Sequence, residues 1–439
     1  MKYQEVTLSG WGQSNKTLSK VVRPERQRDI ALRGIQGIAR GCGRAFGDAA
    51  VSSQHMVISM VRLNRFLSFD QEKGVLRAEA GATVQDIVAT FVPRGWMLPV
   101  TPDTQHATLG GCAAADIHGL NHPSCGTFGK HVKEMELFLP DGTKRKCSPS
   151  QNPSLFWSTI GGLGLTGVIS ELTLQLVPIE TAYVNINTFE TDDIKSACEL
   201  LKSPLSSDPY ASVWIHPIDY KRCLVKTASH ASLKQVPEGV DDPLRSKPFR
   251  SITIPPLLFS AKAARAISRF LWNRSLKKPS QSIQSLVSYF YPTDHLHYFY
   301  RIYGKKGGVH YQCVLPDSSS LEKMIERVRL EKIPSTHISF KRLGAEGLGY
   351  LSFPQPGFAL SIHFPIRHEA IYPFLDQLDH LVADSGGRVN ISEDSRMNYI
   401  LFRKMYPRYQ DWLIEKRKID PENSMISDLS RRLHMGKEL

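Results

Sequence analysis

Apolar and polar residues alternate in short runs along the first 180 residues, and Gly and Pro separate the runs. Alternation with a period of two is typical of strands that bury one face, so we predict strands at 56–63, 75–81, 135–140 and 168–178. Residues 83–95 instead carry apolar side chains at helical spacing and predict a helix. Strands and helices mixed in this way indicate an α+β fold.

The pattern changes at about residue 181, where longer strand candidates alternate with helix candidates. The predicted strands are 182–189, 211–218, 310–316, 337–343 and 358–365, and the predicted helices are 319–331 and 372–386. A sheet with helices packed on it is the natural interpretation of this half. Alternation in the strand at 337–343 places His337, Ser339 and Lys341 on one polar face, which either lines a pocket or faces solvent.

The least orderly part of the sequence is 227–290, which is rich in Pro, Ser and Lys. Within it, 255–278 combines Leu, Phe and Trp with six basic residues. This segment is either an interfacial helix attracted to anionic lipid or a core helix with a solvated basic face. Both interpretations stay open at the level of the sequence.

Charge and cysteine content narrow the class of protein. The 439 residues carry a net charge of +13 and favour anionic partners, but no helix-turn-helix, zinc-finger or RNA-binding motif is present, so we expect no nucleic acid. Seven cysteines without a C-x-x-C pair argue against a disulfide framework and a structural zinc site. With no apolar run of membrane-spanning length, we expect a cytoplasmic protein whose membrane contact, at the inner face, is at most peripheral.

Three glycine-rich segments carry the strongest chemical signal: Arg40–Asp48, Leu109–Gly119 and Gly161–Gly167. The last contains a literal G-x-G-x-x-G, but a strand candidate follows it where a Rossmann motif needs a helix, so we reject that interpretation. Glycine lets the backbone approach a ligand closely, and consecutive N–H groups form anion-binding nests. Three such turns, with Arg40 and Arg44 nearby, predict a site for the diphosphate of a large cofactor.

These residues resemble the FAD-linked oxidases of the vanillyl-alcohol-oxidase type. The first loop matches the glycine-rich loop that holds the FAD diphosphate, and Pro102-x-Thr104-x₃-Thr108-x-Gly110-Gly111 matches the stretch along the flavin, with Asp103 where Gly is common. A narrower resemblance is to the decaprenylphosphoryl-ribose oxidase branch. It rests on Asp116–His122, Ser124–Gly129, Phe156–Trp157, Gly161–Gly167, Tyr311–Gln312, Asp394–Arg396, Met405–Arg408, Arg417–Pro421 and Ser427–Leu433.

The resemblance implies a two-domain architecture in which the FAD domain is discontinuous. Residues 1–181 and 389–439 would form the FAD domain, and 182–388 would form an inserted substrate domain of a sheet with helices. It implies oxidation of a secondary hydroxyl of a sugar, a polyprenyl-phosphate-linked pentose, to a keto sugar by hydride transfer to flavin N5. A separate short-chain-type reductase would then complete an epimerisation.

The resemblance also implies positions for the cofactor and the reaction. FAD contacts are expected at Arg40, Gly41, Cys42, Gly43, Arg44, Ala45, Phe46, Gly47, Asp48, Pro102, Asp103, Thr104, Thr108, Leu109, Gly110, Gly111, Ala114, Ala115, His118, Gly119, Gly162, Gly164, Gly167, Val168 and Asn390. Catalytic or substrate-facing positions are expected at His118, Tyr291, Gln312, Lys341 and Glu393. No His stands at the usual attachment point in the first loop, so we expect noncovalent FAD. Spacing of His118 and His122 by four residues does not suffice for a metal site, because Gly119 lies between them and a third ligand is missing.

Three positions depart from the branch. Leu120 stands where Lys is usual, Phe46 where Tyr is usual, and Glu393 where a Lys precedes Asp-Ser-Arg. Glu393 is either a catalytic base or, as we prefer, the ion-pair partner of Arg396. Because the exchange of Lys for Glu reverses a charge, two alternatives stay open: a free-sugar or aldonolactone oxidase, and a flavoprotein subunit without turnover.

Overall fold

The computed structural model of the chain describes residues 3–203, 208–237, 261–276, 279–292, 294, 307–333, 335, 337–366 and 371–436. Its strands are β1 (Gln4–Ser9), β2 (Lys16–Val22), β3 (Gly37–Arg40), β4 (Met56–Ser59), β5 (Phe66–Asp70), β6 (Val75–Glu79), β7 (Trp96–Met97), β8 (Val132–Phe138), β9 (Lys144–Cys147), β10 (Val168–Gln175), β11 (Val177–Pro178), β12 (Tyr183–Thr191), β13 (Tyr210–Ile215), β14 (Cys223–His230), β15 (Gln281–Ser285), β16 (Gly308–Leu315), β17 (Ile338–Leu343), β18 (Gly357–Pro365) and β19 (Arg388–Val389). Its α-helices are α1 (Val84–Phe91), α2 (Leu109–Ala114), α3 (His122–Cys125), α4 (Pro153–Thr159), α5 (Ile194–Lys202), α6 (Ala261–Leu276), α7 (Leu286–Phe290), α8 (Ser318–Glu331), α9 (Ile371–Asp384), α10 (Tyr399–Met405), α11 (Tyr409–Ile419) and α12 (Asp428–Arg432). Short 3₁₀ turns lie at Gln27–Asp29, Val92–Arg94, Phe128–His131 and Leu233–Gln235.

A small sheet in the order β1-β2-β4-β3 opens the chain. β4 lies parallel to both β2 and β3, and Ile38 and Val57 are fully buried in the core beneath it. β3 ends at Arg40, so the first glycine-rich loop leaves the sheet from the carboxyl end of a buried strand. A rigid strand therefore fixes the place where this loop begins.

A second sheet, in the order β5-β6-β10-β8-β9, is antiparallel throughout. The predicted helix at 83–95 is α1, which begins where Thr83 and Asp86 form a reciprocal capping box and is followed by a short turn to Gly95. The third glycine segment runs directly into β10. The literal G-x-G-x-x-G is therefore a turn before a strand, as the sequence predicts, and it lacks the helix of a Rossmann motif.

The third sheet has the order β15-β12-β14-β13-β17-β18-β16-β19 among the described residues. On one face, Val213, Phe340 and Ile362 are buried in the core that includes residues of α5, α8 and α9. Cross-strand pairing places Gln312 opposite Ser361, so the other face carries polar side chains. Together with the first two sheets, this layer of helices on a sheet confirms the α+β fold.

The C-terminal residues pack against the beginning of the chain. The Ile426 N–H donates to the Gly37 carbonyl oxygen at 2.9 Å, and Arg432 forms an ion pair of 2.9 Å with Asp48. The strands of the third sheet fall between Tyr183 and Val389. The division at 1–181, 182–388 and 389–439 stays a prediction, and these contacts are consistent with it.

The segment that the sequence marks as least orderly contains regular structure. β14 is a central strand that the pattern analysis missed, and α6, β15 and α7 lie between 261 and 290. The predicted segment 255–278 is described at 261–276, and its other residues lie outside the described part. Among the described helices, none combines the length and the apolar character needed to cross a bilayer.

Candidate functional site

All three glycine-rich segments converge on one cleft, which contains about 1090 Å³ between protein atoms, open solvent at its mouth included. The predicted cofactor residues that line it are Gly41, Cys42, Gly43, Arg44, Ala45, Pro102, Asp103, Thr104, Thr108, Gly110, Gly111, Ala114, Ala115, Gly164 and Gly167. Segments separated by more than a hundred residues therefore meet around a single cleft.

Glycine is required by geometry in the first loop. Gly43 has a φ of +65°, in the left-handed region that disfavours other residues, and a Cβ on Gly41 would collide with the Thr108 hydroxyl. The loop therefore presents bare backbone to the cleft and packs closely on the second glycine segment. Bare backbone of this kind suits the diphosphate of a dinucleotide.

Arg40 and Arg44 have different roles. The Arg40 guanidinium donates to the carbonyl oxygens of Ser9 (2.8 Å) and Ala50 (3.1 Å), so it holds the loop together and does not line the cleft. Arg44 does line it, with its guanidinium 3.9 Å from the Trp11 ring centroid. The buried Arg44 Nε has no hydrogen-bond partner among the described residues. An anion such as a diphosphate would supply that partner.

The second segment is held by capping and backbone hydrogen bonds. Thr108 caps α2 through the Gly111 N–H, and the Gly110 N–H donates to the Ala80 carbonyl at 2.8 Å. The Thr104 hydroxyl donates to the Asp294 carboxylate at 2.7 Å. The residues that line this side of the cleft are therefore fixed in place before any ligand binds.

Ten predicted cofactor residues do not line the cleft: Arg40, Phe46, Gly47, Asp48, Leu109, His118, Gly119, Gly162, Val168 and Asn390. Leu109 and Val168 are fully buried in the cores, and Asp48 pairs with Arg432. Burial raises the pKa of Asp48. These residues support the walls of the cleft instead of forming its surface.

Lys341 and His118 meet beside the cleft. The Lys341 Nζ lies 3.4 Å from the His118 carbonyl oxygen and donates to it. Burial lowers the Lys341 pKa to about 8 despite the opposing effect of Asp103, and burial together with the Lys341 charge lowers the His118 pKa well below its usual value. Below pH 8, this corner therefore holds one ammonium and a neutral imidazole.

Four of the five predicted catalytic residues connect the third sheet to the other segments. Besides the Lys341–His118 contact, Gln312 accepts a hydrogen bond of 2.6 Å from Asn390 and donates one of 3.0 Å to Ser361. Tyr291 is different, because it is fully buried in the apolar core around α1 and its hydroxyl bonds Thr101 at 2.7 Å. The structure thus places His118, Lys341, Gln312 and Glu393 at the junction, and Tyr291 in the core.

The predicted ion pair between Glu393 and Arg396 is wrong. Arg396 turns away to Asp376 and Asp379, at 2.6 and 2.9 Å. Glu393 lines the cleft, where its Oε2 accepts the Phe46 N–H at 3.3 Å and lies 3.4 Å from His310 Nδ1. Glu393 and Arg396 are close in sequence, but tertiary packing pairs Arg396 with Asp379 of α9, whose carboxylate is more deeply buried than that of Glu393.

His118 and His122 do not lie four residues apart on a helix. α3 begins at His122, whose Nδ1 accepts the Gly344 N–H at 2.9 Å, while His118 precedes the helix and contacts Phe353. Burial lowers the His122 pKa to about 4. Within the described ranges, no group of three His, Cys, Asp or Glu residues is suited to a metal ion.

Sequence reasoning missed the small apolar residues of the cleft. They are Ala39, Ala49, Ala50, Met60, Ala80, Ala107, Cys112, Ile117, Leu163 and Ile169, together with the polar Ser392. Several stand one or two positions from a predicted glycine, so runs of Ala beside the glycine clusters are a signal that could have found them. His310 and His363, on the polar face of the third sheet, were also missed, since no local motif contains them.

Comparisons with known proteins agree with this geometry. The sequence pattern of a family described as FAD binding domain matches residues 13–148. Decaprenylphosphoryl-beta-D-ribose oxidase of Mycolicibacterium smegmatis is 33% identical over 452 residues, which cover 98% of this chain and 97% of that protein. An uncharacterized protein of Streptomyces coelicolor is 30% identical over 369 residues (80% of this chain, 99% of that protein), and D-lactate dehydrogenase of Anaerostipes hadrus is 28% identical over 145 residues (32% and 30%).

Proposed function

This chain belongs to the decaprenylphosphoryl-ribose oxidase branch of the FAD-linked oxidases, and we propose that it oxidises a secondary hydroxyl of a polyprenyl-phosphate-linked pentose to a ketone. It is an FAD-dependent oxidoreductase with FAD in the cleft between the glycine-rich segments. Bound FAD supplies the acceptor for the hydride that leaves the alcohol carbon. Side chains of this chain would bind the substrate and orient it.

One observation carries the proposal: the polar face of the third sheet meets the cleft. Glu393 lines the cleft and contacts His310 of β16, and Lys341 of β17 contacts the segment that follows α2. A hydroxylated substrate on this face would therefore have its reacting carbon next to the cofactor. Proximity of this kind is a large part of catalysis in cofactor enzymes.

Individual side chains have distinct proposed roles. Lys341 supplies positive charge for an anionic group of the substrate, because its ammonium has donors beyond the one given to His118. The amide of Gln312, fixed by Asn390 and Ser361, orients sugar hydroxyls. The neutral imidazole of His118 hydrogen-bonds the substrate through Nε2, which has no partner among the described residues.

We propose that FAD binds without a covalent link. Cys42 is the nucleophilic side chain of the first loop, and burial raises its pKa, so the thiol stays protonated and unreactive. Acid precipitation of the protein is expected to release all of the flavin into the supernatant. Flavin absorbance that stays with the washed precipitate would contradict this.

Anaerobic bleaching of the flavin tests the reaction. Purified yellow protein is mixed without oxygen with polyprenyl-phosphoryl pentoses, free sugars or aldonolactones, and the flavin absorbance is followed. Bleaching by the lipid-linked pentose supports the proposal. Bleaching by free sugars or lactones alone would favour a soluble-substrate oxidase, and none with any alcohol would favour a subunit without turnover.

We further propose that α6 contacts an anionic membrane surface, at the cytoplasmic face where a reductase could complete an epimerisation. Trp272 is buried against Trp214 and His216, while Phe270 is 63% exposed and Leu276 is 41% exposed. Arg269 and Arg274 are exposed on the same helix. Exposed apolar side chains flanked by arginine are typical of helices that lie in the membrane interface.

A further inference from the structure

Three histidines form a row on the polar face of the third sheet. Pairing of β16 with β18 sets His310 directly opposite His363, and their rings stack with centroids 4.4 Å apart and planes 16° apart. His337, just before β17, lies with its ring centroid 6.4 Å from that of His363.

One end of this row touches the cofactor cleft through Glu393. Its Oε2 lies 3.4 Å from His310 Nδ1 and accepts the Phe46 N–H at 3.3 Å. Among the described residues, no hydrogen bond engages the second oxygen, Oε1. Since Glu393 also lines the cleft, a carboxylate oxygen is available to a hydroxyl group placed there.

His310 packs in a cluster of three rings. The Phe46 ring lies 4.9 Å from it at a tilt of 56°, and His363 stacks on it at 4.4 Å. A ring fixed in this way keeps its Nδ1 directed at Glu393.

The other histidines of the row have lowered pKa values. Burial lowers the pKa of His363 well below its usual value and that of His337 to about 4, with Lys226 adding to the effect on His337. His118, near His310, is neutral for the same reason, and the Lys341 charge opposes a proton there. Asp103 also lines the cleft, but its charge acts on Lys341.

From this geometry we infer that Glu393 receives the proton of the substrate hydroxyl and that His310 then accepts this proton from Glu393. The C–H bond breaks with its electron pair going to the flavin, the O–H bond breaks with its proton going to Glu393, and the C=O bond forms. The alcohol is oxidised and the flavin is reduced. The proton then passes to His310, which returns Glu393 to its charged form.

This inference rests on the proposed function, and variants at Glu393 and His310 test it. The variants are Glu393→Gln, Glu393→Asp and His310→Gln, with Glu326→Gln as the matched control because Glu326 is an exposed carboxylate on α8. Anaerobic flavin reduction by the active alcohol is measured across pH. We expect Glu393→Gln to slow reduction about 100-fold, the lower range for a lost general base, with Glu393→Asp retaining part of the rate and Glu326→Gln unchanged.

A second measurement does not depend on turnover. In FAD-loaded protein with labelled histidines, the NMR signals of the His310 ring are identified by their loss in His310→Gln. Replacing Glu393 by Gln is expected to shift the His310 ring signals, because the contact between Glu393 Oε2 and His310 Nδ1 changes. Flavin absorbance per protein shows that each variant keeps its cofactor and fold.

The outcomes separate the inference from the function beneath it. If wild-type protein is reduced by an alcohol but Glu393→Gln is reduced equally fast, the inference is overturned and the proposed function stands. Unchanged His310 ring signals in Glu393→Gln also overturn the inference. If no alcohol reduces the wild type, the proposed function fails, and the proton path has no reaction to serve.

Discussion

At the scale of single residues, burial decides the charge state of the groups beside the cleft. Lys341 keeps its ammonium below a pH of about 8, whereas His118 and His363 are neutral throughout the physiological range. Glu393 lies on the cleft wall within reach of His310. The junction therefore combines the Lys341 cation, the carboxylates of Glu393 and Asp103, and several neutral rings.

The lowered pKa of Lys341 predicts that anionic substrates bind less tightly above a pH of about 8. The positive charge is complete well below pH 8 and is lost as the pH rises through about 8. The KM of a phosphate-bearing substrate should therefore rise about tenfold per pH unit above that value, while the KM of a neutral sugar should not. In Lys341→Met this pH-dependent rise is expected to disappear. A rise of the same size in Lys341→Met would show that another group is responsible.

We predict that Arg44 strengthens the binding of FAD. It is the arginine of the first loop that lines the cleft with an unpaired buried nitrogen, so Arg44→Met should lose a charge-assisted hydrogen bond. The expected cost is about 2 kcal/mol, or roughly 30-fold in the Kd of FAD for apoprotein. Arg23→Met, at an exposed position of the same charge, is the control and should bind FAD as the wild type does. Equal Kd values in the two variants would refute the assignment.

At the scale of elements, the glycine-rich loops of the cleft and the helix α6 are held in different ways. The first glycine segment begins at the end of β3, and the second begins next to the Thr108 cap of α2. Regular structure therefore fixes the positions of both loops. α6 has the opposite character, since Trp272 anchors one side and Phe270 points outward. Trp272 therefore attaches α6 to the rest of the protein, and the exposed apolar side is the one that we propose to contact the membrane.

The α6 surface predicts binding to anionic vesicles. Phe270→Ser combined with Arg269→Gln should weaken cosedimentation with phosphatidylglycerol vesicles at least fivefold, because each arginine near such a surface contributes about 1 kcal/mol. Ile414→Ser is the control, since Ile414 is 54% exposed on α11 without belonging to this surface. Pure phosphatidylcholine vesicles should bind neither form strongly. Equal losses in both variants would indicate nonspecific adsorption.

At the scale of the whole molecule, charged pairs join the two ends of the chain. Arg432 of α12 bonds Asp48 after the first glycine loop and Asp394 beside Glu393, each at 2.9 Å. Both carboxylates are 5% exposed, so neither can turn to solvent. The C-terminal segment thereby fixes both the first loop and the turn that presents Glu393.

Removing this link predicts a loss of stability and of cofactor together. Arg432→Gln leaves two buried carboxylates without their cation, and a change of this kind costs about 3 kcal/mol or more of the free energy of unfolding. Denaturant unfolding with and without added FAD measures it. The control is Lys404→Gln, which breaks an exposed pair with Asp384 and should cost less than about 1 kcal/mol. Similar costs for both variants would show that the Arg432 pairs are not a structural link.

Local chemistry in the sequence determined much of this protein. Glycine spacing with its flanking strands identified the walls of the cleft, and alternation identified nine segments that form strands, because backbone conformation and one-sided burial depend on neighbouring residues. β14 was missed, and its last four residues lie in the segment 227–290, whose composition is typical of loops. Pairing with β12 and β13 makes it a strand.

Only the tertiary structure decided which distant groups meet. Glu393 and His310 are 83 positions apart, and Arg396 pairs with Asp379 of α9 instead of with Glu393, its neighbour in sequence. His310 faces His363 through strand register, which is set by how the whole sheet buries its apolar face. Sequence thus determined the elements and the cofactor loops, whereas packing of one layer on another decided the charges and partners at the reacting centre.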